Sequence, residues 1–195
     1  RKSGRANSHR YVVGEREVRV EAVRVSGLID LNRAQIPLLK ALFQIGGGLA
    51  PADAQRLAKS VDDWRRSRRG LRGQSNRFDT QEDLLKIPGV DRALFDLLRY
   101  HVVAGNAASG QTVARHSTTT VRSILQSAGL AAQGGRERGS DGEEISSGGN
   151  LRVDAIIETG GRAWLRRQWL AYGSNNNTLL PWHVVRVEPP RVVKL

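Results

Sequence analysis

The chain has the two-residue period of β-strands near both ends and the period of helices in between. Residues 10–25 alternate apolar and polar side chains on either side of Gly14–Glu15, which predicts a β-hairpin. Residues 151–158 alternate in the same way and predict a further strand. Because a helical segment stands between these strands, the sequence predicts an α+β fold.

The rest of the C-terminal region also favours strands. The segment 162–172 suits a helix or a strand, but the strands on either side favour a hairpin partner. Residues 182–187 predict a last short strand, which Pro189–Pro190 would end.

The helical middle begins after Gly27. Asp30 or Asn32 is predicted to N-cap a helix starting near Arg33, because a short side-chain oxygen satisfies free amides of the first turn. Gly46–Gly48 ends this helix. A second helix runs from Pro51 with an apolar stripe as far as Trp64.

A second pair of helical segments follows. Thr80 and Asp83 match a capping box that opens residues 81–86. Pro88-Gly89 then turns the chain into a helix at 92–100, and a weaker apolar periodicity predicts another helix at about 119–128. Residues 131–147 contain mostly glycine, serine and charged side chains, which predicts a flexible linker.

Composition excludes several classes of protein. The 195 residues suffice for one domain or two small ones, and 39% hydrophobic with 26% charged residues is typical of a folded soluble chain. The absence of Cys excludes disulfides, thiolate zinc sites and cysteine nucleophiles. The four histidines lie in different segments without ligand spacing, so we predict no enzyme, no cofactor and no metal site.

The basic character of the chain has two interpretations. A net charge of +12 is typical of nucleic-acid binding, but arginines dispersed along the whole chain also describe an ordinary basic surface. The basic loop made by Arg65, Arg66, Arg68, Arg69 and Arg72 is the better candidate for phosphate contacts, and a solvated loop is the alternative.

The segment Leu84–Ala93 resembles a helix–hairpin–helix, in which a glycine turn offers backbone amides to phosphates. Nucleic-acid-binding versions carry a second glycine where this chain has Asp91. Because a carboxylate at the tip repels phosphate, we predict that this hairpin is a packing unit. A nucleic-acid-binding module of the type found in DNA-uptake proteins is the alternative function.

Three motifs together resemble those of the K minor pseudopilins of type II secretion systems (general secretion pathway protein K). The family has a Gly-x-Ile-Asn-Leu-Asn-x-Ala motif, then Asp-Trp-Arg-Asp, then Glu-Glu-Leu-x-x-Ile-Pro-Gly. The matching residues here are Gly27, Ile29, Leu31, Asn32 and Ala34, then Asp63, Trp64 and Arg65, and then Glu82, Leu84 or Leu85, Ile87, Pro88 and Gly89. Asp30 stands in place of the family's first Asn, and arginines replace the acids that follow Asp-Trp-Arg.

The resemblance implies a pseudopilin-type antiparallel sheet with a mainly α-helical domain of helix–hairpin–helix or SAM-like units inserted between its strands. The sheet would comprise residues 1–27 and 148–195, and the insert residues 28–130. The implied function is a non-enzymatic subunit that caps the tip of the periplasmic pseudopilus and helps to start its assembly. Its partners would be minor pseudopilins I and J and the major pseudopilin.

Two further expectations concern the N-terminal membrane helix and the acidic loop of this family. Family members cross the inner membrane once through an N-terminal apolar helix, and this chain has no Met even at position 1. We therefore expect an excised periplasmic ectodomain whose helix has been removed. Calcium binding by the family's acidic loop is not expected here, because Arg66-Ser67-Arg68-Arg69 takes the place of the acids.

Overall fold

The structure is a computed structural model that describes residues 7–67, 76–105, 112–130, 149–173 and 180–193. The chain divides into two compact units. One combines Arg1–Val25 with Glu137–Leu195, and the other is Ser26–Arg136. The predicted boundary followed Gly27, whereas the structure places both Ser26 and Gly27 in the second unit. The linker predicted at 131–147 lies outside the described residues.

The first unit is an antiparallel sheet. Its strands are β1 (Asn7–Val13), β2 (Arg16–Arg24), β5 (Leu151–Thr159), β6 (Arg162–Tyr172), β7 (Trp182–Val187) and β8 (Arg191–Val193), with β3 and β4 belonging to the second unit. They are ordered β1-β2-β5-β6-β7, and β8 also pairs with β6. Strands β2 and β5 are direct neighbours although the whole second unit separates them in sequence. The helical unit is therefore inserted between two strands of one sheet.

The strand predictions are confirmed except at the end of the chain. Residues 162–172 form β6, the hairpin partner of β5, and not a helix. The strand predicted at 182–187 is β7, and it ends before Pro189–Pro190 as expected, but it is not the last strand, because β8 follows the two prolines and pairs with the first half of β6. Prolines are tolerated there because they lie between β7 and β8 and so donate to no ladder.

The second unit is mainly helical. Its helices are α1 (Ile36–Ala41), continued by a π-helical turn at Leu42–Gly46, then α2 (Pro51–Arg66), α3 (Arg92–Leu98) and α4 (Thr119–Ser127). Short 3₁₀ segments lie at Val25–Gly27, Gln81–Lys86 and Ala114–His116. Two short strands, β3 (Ile29–Asp30) and β4 (Val102–Val103), pair in parallel. Side chains of all four α-helices fill one apolar core, with Leu39, Phe43, Val61, Phe95 and Ile124 fully buried.

The predicted N-cap of α1 was wrong. Helix α1 begins at Ile36, and its N-cap residue, Gln35, makes no side-chain capping bond. Asp30 instead belongs to β3, and its carboxylate accepts a 2.8 Å hydrogen bond from the amide of Asn32. The carboxylate closes a tight turn after the strand, so it is not available to the helix further on.

The second helical pair is close to the prediction. The capping box of Thr80 and Asp83 is present, although it opens a 3₁₀ segment and not an α-helix. Asp91 is the N-cap of α3, and its side chain accepts a 2.8 Å hydrogen bond from the amide of Leu94. Asp91 thus has a structural role at the position where nucleic-acid-binding hairpins carry glycine.

Candidate functional site

One face of the sheet is apolar and incompletely covered. A single row of paired residues crosses β1, β2, β5, β6 and β8, and it consists of Tyr11, Val18, Ile157, Trp164 and Val192. Tyr11, Trp164 and Val192 are exposed, and the other two are half-buried. Parallel rows on the same face contain the polar Arg24, Arg166 and Gln168 and the apolar Val20, Ala22, Leu151, Val153, Ala155, Leu170, Tyr172, Trp182, Val184 and Val187. We call this set the open sheet face.

The opposite face of the sheet is buried but carries charges. Along β5, the residues that alternate with the open sheet face are Arg152, Asp154 and Ile156, and each is at most 8% exposed. In an ordinary antiparallel sheet the apolar face is buried and the polar face meets solvent. Here the buried face combines apolar side chains, among them Val23, Ile156, Leu165 and Trp169, with the charged Arg152, Asp154 and Arg167, while much of the exposed face is also apolar. Arg166 and Gln168 interrupt the apolar rows of the open sheet face on β6, and a large exposed apolar surface with polar groups among and around it marks an interaction site.

The buried charges form a paired network. Two nitrogens of Arg167 donate to the two carboxylate oxygens of Asp154, at 2.6 and 2.8 Å. Arg152 approaches the same carboxylate at 3.3 Å. Burial and the repulsion of Arg167 lower the pKa of Arg152 to about 10, against the attraction of Asp154. Burial also opposes the charge of Asp154, but the two arginines outweigh it and hold the pKa of Asp154 below its ordinary value.

The motifs of the helical unit meet at one junction. The side-chain amide of Asn32 donates to the carbonyl of Phe78 at 2.9 Å, while its oxygen accepts from the Phe78 amide at 2.8 Å. The Phe78 ring stacks on Trp64 with the ring centroids 4.5 Å apart. Arg65 donates to the carbonyl of Leu31 at 3.0 Å. The first and second motifs therefore interlock through Asn32, Phe78, Trp64 and Arg65.

Two glycines of the motifs allow close approaches. A Cβ atom on Gly27 would lie 2.1 Å from the carbonyl oxygen of His116, so only glycine fits there. Gly89 has φ +93°, and a Cβ at this position would lie 2.9 Å from a methyl group of Leu57 on α2. The Ile-Pro-Gly motif thus packs against the second helix.

The remaining motif residues lie either in the apolar core of the helical unit or at its surface. Ile29, Leu31, Ala34 and Ile87 are buried, whereas Pro88 and Asp63 are exposed. The structure therefore brings Leu31, Asn32, Trp64 and Arg65 together at the junction, whereas Gly27 and Gly89 make their close contacts elsewhere in the helical unit.

An arginine-lined cleft of about 800 Å³ adjoins this junction. It lies between the segment leading into α1, the C-terminal end of α2 and the pair Asn76–Arg77. We call it the arginine cleft. Its described lining is Asn32, Arg33, Ala34, Gln35, Ile36, Pro37, Asp62, Arg65, Arg66, Asn76 and Arg77.

The charges of the arginine cleft are only partly neutralised. The Asp62 carboxylate accepts from Arg65 at 2.9 Å and pairs with Arg66 at 2.8 Å. Arg33 lies 3.8 Å from Asp30. Burial raises the pKa of Asp30, opposed by the hydrogen bond from the Asn32 amide and by the nearby arginines. The cleft therefore keeps an excess of positive charge.

Sequence reasoning found only part of this cleft. Arg65 and Arg66 belong to the predicted basic loop, but Arg68, Arg69 and Arg72 lie outside the described residues. Arg33 and Arg77 were missed because they come from distant segments that only the fold joins. The Asp62 carboxylate in this cleft is held by Arg65 and Arg66.

Two structural observations bear on metals and membranes. Within the described ranges, no group of three or more His, Cys, Asp or Glu side chains is arranged to hold a metal ion. Among the helices of the described residues, none is both long and apolar enough to cross a bilayer.

Comparison with known proteins supplies the fold class. The fold is similar to that of a chain in the crystal structure of the GspK-GspI-GspJ complex from the type 2 secretion system of enterotoxigenic Escherichia coli. The match covers 97% of this chain and 84% of the other, with a TM-score of 0.57 and 11% sequence identity. No protein-family model and no curated protein sequence matches the chain.

At that identity the likeness concerns the fold. The antiparallel sheet with an inserted helical unit is the α+β fold expected from the three motifs, and that expectation is confirmed. A solved structure with this fold comes from a type II secretion complex, in agreement with the resemblance seen in the sequence.

Proposed function

We propose that the protein is a structural subunit of a type II secretion pseudopilus, in the position of the K minor pseudopilin. It caps the tip of the pseudopilus and helps to start its assembly with minor pseudopilins I and J, above the major pseudopilin. It acts without catalysis and without a bound cofactor. The observation that carries this proposal is the open sheet face, on a sheet interrupted by a helical insert.

The open sheet face suits an apolar helix. Tyr11, Ile157, Trp164 and Leu170 would lose much of their remaining contact with water under such a helix, and burial of apolar area stabilises by roughly 25 cal/mol per Å². The occupant in this proposal is an apolar N-terminal helix that also anchors the protein in the inner membrane. The sheet would then lie in the periplasm.

The helical insert supports a terminal position. Its apolar core is formed from its own four α-helices and the residues between them, so that core needs no partner. In this proposal the bulk of the insert prevents further subunits from being added beyond the protein. Partner contacts come mainly from the sheet unit and the N-terminal helix.

The interpretation of residues 84–93 as a packing unit agrees with this proposal. Asp91 is occupied as an N-cap, and Gly89 lies against Leu57. The turn between these two residues is therefore used for capping and packing within the helical unit, and not for holding a phosphate backbone.

The test is co-purification from cells that express the full-length protein together with minor pseudopilins I and J of the same organism. The wild-type protein is expected to recover both partners. The double variant Ile157→Glu/Leu170→Glu places charges on the open sheet face, and we expect at least a tenfold loss of recovered partner, because buried unpaired charges are strongly unfavourable.

Leu97→Glu is the matched control, because Leu97 is an exposed leucine on α3 of the helical unit. It should leave partner recovery unchanged. If the wild-type protein recovers neither partner, or if all three proteins recover them equally, the proposal is wrong. Circular dichroism of the soluble chain checks that each variant is folded.

A further inference from the structure

We propose that the arginine cleft binds a short acidic peptide segment of a partner protein, one that carries aliphatic side chains between its carboxylates. The proposal concerns the helical unit alone. It does not depend on the role suggested above for the sheet.

The charge of the cleft selects an anion. Arg33, Arg66 and Arg77 have exposed side chains at its rim, and those of Arg33 and Arg66 are 73% and 77% exposed. The acids that face them are Asp62, which is shared by Arg65 and Arg66, and the neighbouring Asp30. An incoming carboxylate would therefore meet guanidinium groups that retain free donors, and guanidinium binds carboxylates through paired hydrogen bonds.

The shape of the cleft selects a peptide over a small ion. Its volume of about 800 Å³ is far larger than one inorganic anion. The wall formed by Ala34, Ile36 and Pro37 is apolar and offers a surface for aliphatic side chains. A ligand that satisfies both surfaces must carry charges and apolar groups a few ångströms apart, as an acidic peptide does.

The described lining also disfavours nucleic acid. Single-stranded nucleic acids are held by bases that stack on aromatic rings. The nearest tryptophan of the junction, Trp64, already stacks on Phe78, and the described lining of the cleft contains no aromatic side chain.

The walls of the cleft are fixed before a ligand arrives. The side-chain amide of Asn76 donates to the carbonyl of Trp64 at 3.0 Å and to the Ser67 hydroxyl at 2.9 Å. Arg65, only 12% exposed, is held between Leu31 and Asp62. A preformed site loses less conformational entropy on binding, which favours specific recognition.

The test is fluorescence anisotropy with the purified chain and a fluorescein-labelled peptide of the sequence Glu-Glu-Leu-Glu-Glu-Leu-Glu-Glu. We expect saturable binding that weakens as salt rises. Removing one exposed arginine should weaken binding about threefold, so the double variant Arg66→Gln/Arg77→Gln should weaken it about tenfold.

Arg56→Gln is the matched control, since Arg56 is an exposed arginine on the same helix α2 but outside the cleft. It should bind the peptide like the wild type. Equal losses in Arg56→Gln and in the double variant would show nonspecific attraction and overturn the proposal, as would the absence of saturable binding.

Two competitors test the class of ligand. A single-stranded oligonucleotide that displaces the peptide at lower concentration would assign the cleft to nucleic acid and overturn the proposal. Inorganic phosphate that displaces the peptide at equal charge concentration would show a simple anion site, with the same consequence. Neither result would affect co-purification with pseudopilins, so the two proposals fail separately.

Discussion

Replacing Asp154 with asparagine keeps the size of the side chain but removes the charge that holds two buried arginines. The carboxylate accepts two hydrogen bonds from Arg167, which is fully buried, and lies 3.3 Å from Arg152, which is 3% exposed. In the variant, the Asn NH₂ group would face guanidinium donors, because an amide offers only one acceptor oxygen. Two buried positive charges would then lose the carboxylate that they share, although Glu188 and Glu21 would still attract Arg152.

Removing one member of a buried ion pair costs about 3–5 kcal/mol, because the charge left behind has lost both water and its partner. We expect Asp154→Asn to lower the free energy of unfolding of the sheet unit by about 3 kcal/mol. A single domain is stable by only about 5–15 kcal/mol, so the loss is a large part of the total.

The effect should depend on pH in a defined direction. The folded state holds the pKa of Asp154 below its ordinary value of 3.8, so the charge stabilises the fold above that value. The stabilisation is lost as the pH falls through the folded pKa. The difference between wild type and Asp154→Asn should therefore be constant from neutral pH to about pH 5 and shrink below about pH 4.

Hydrogen exchange of the β5 and β6 amides under increasing urea measures the sheet unit separately from the helical unit. Glu158→Gln is the control, because Glu158 is an exposed acid on the same strand, and we expect a change within about 0.5 kcal/mol. If Asp154→Asn lowers the free energy of unfolding by less than about 1 kcal/mol, or by no more than the control does, the argument that the sheet unit depends on this charge network is refuted.

Two further predictions concern the helical unit. Asn32→Ala removes both hydrogen bonds to the backbone of Phe78. Urea unfolding should show a free energy of unfolding lower by about 2–3 kcal/mol, because the Phe78 amide and carbonyl lose their partners. A decrease under about 1 kcal/mol would contradict the structural role given to the junction. Calcium should not stabilise the protein, because Asp62 is already paired with Arg65 and Arg66. Thermal unfolding in excess calcium and in excess chelator should give the same Tm, and a rise of several degrees with calcium would disprove this.

The strands and most helices could be predicted because local patterns determine them. Alternation identified β2 and β5, and the Thr80–Asp83 capping box is formed by residues only three apart. The start of α1 was missed because Asp30 uses its carboxylate in a turn after a strand. That strand exists only because it pairs with β4, far along the chain.

The candidate sites were harder to predict for a related reason. The alternation of residues in β5 places Leu151 and Val153 on one face of the sheet and Arg152 and Asp154 on the other. The alternation alone does not show which of the two faces is buried. The arginine cleft needs Arg33 and Arg77 beside the end of α2, and only the tertiary fold joins these segments. Local sequence gives the faces of each element, whereas long-range contacts decide what each face meets.

The charges on the buried face and the apolar side chains on the open sheet face connect the stability of the sheet with its proposed role. Burying Asp154 with Arg152 and Arg167 requires full pairing, whereas an apolar layer would have filled the same space without that requirement. On β5 only Ile156 is an apolar residue of the buried face, whereas Leu151, Val153, Ala155 and Ile157 lie on the half-exposed face, where they gain little while that face is open. A sheet with this distribution becomes most stable when a long apolar element covers the open sheet face. Asp154→Asn should therefore weaken the unit with or without such an element, whereas Ile157→Glu/Leu170→Glu should weaken it only when the element is present.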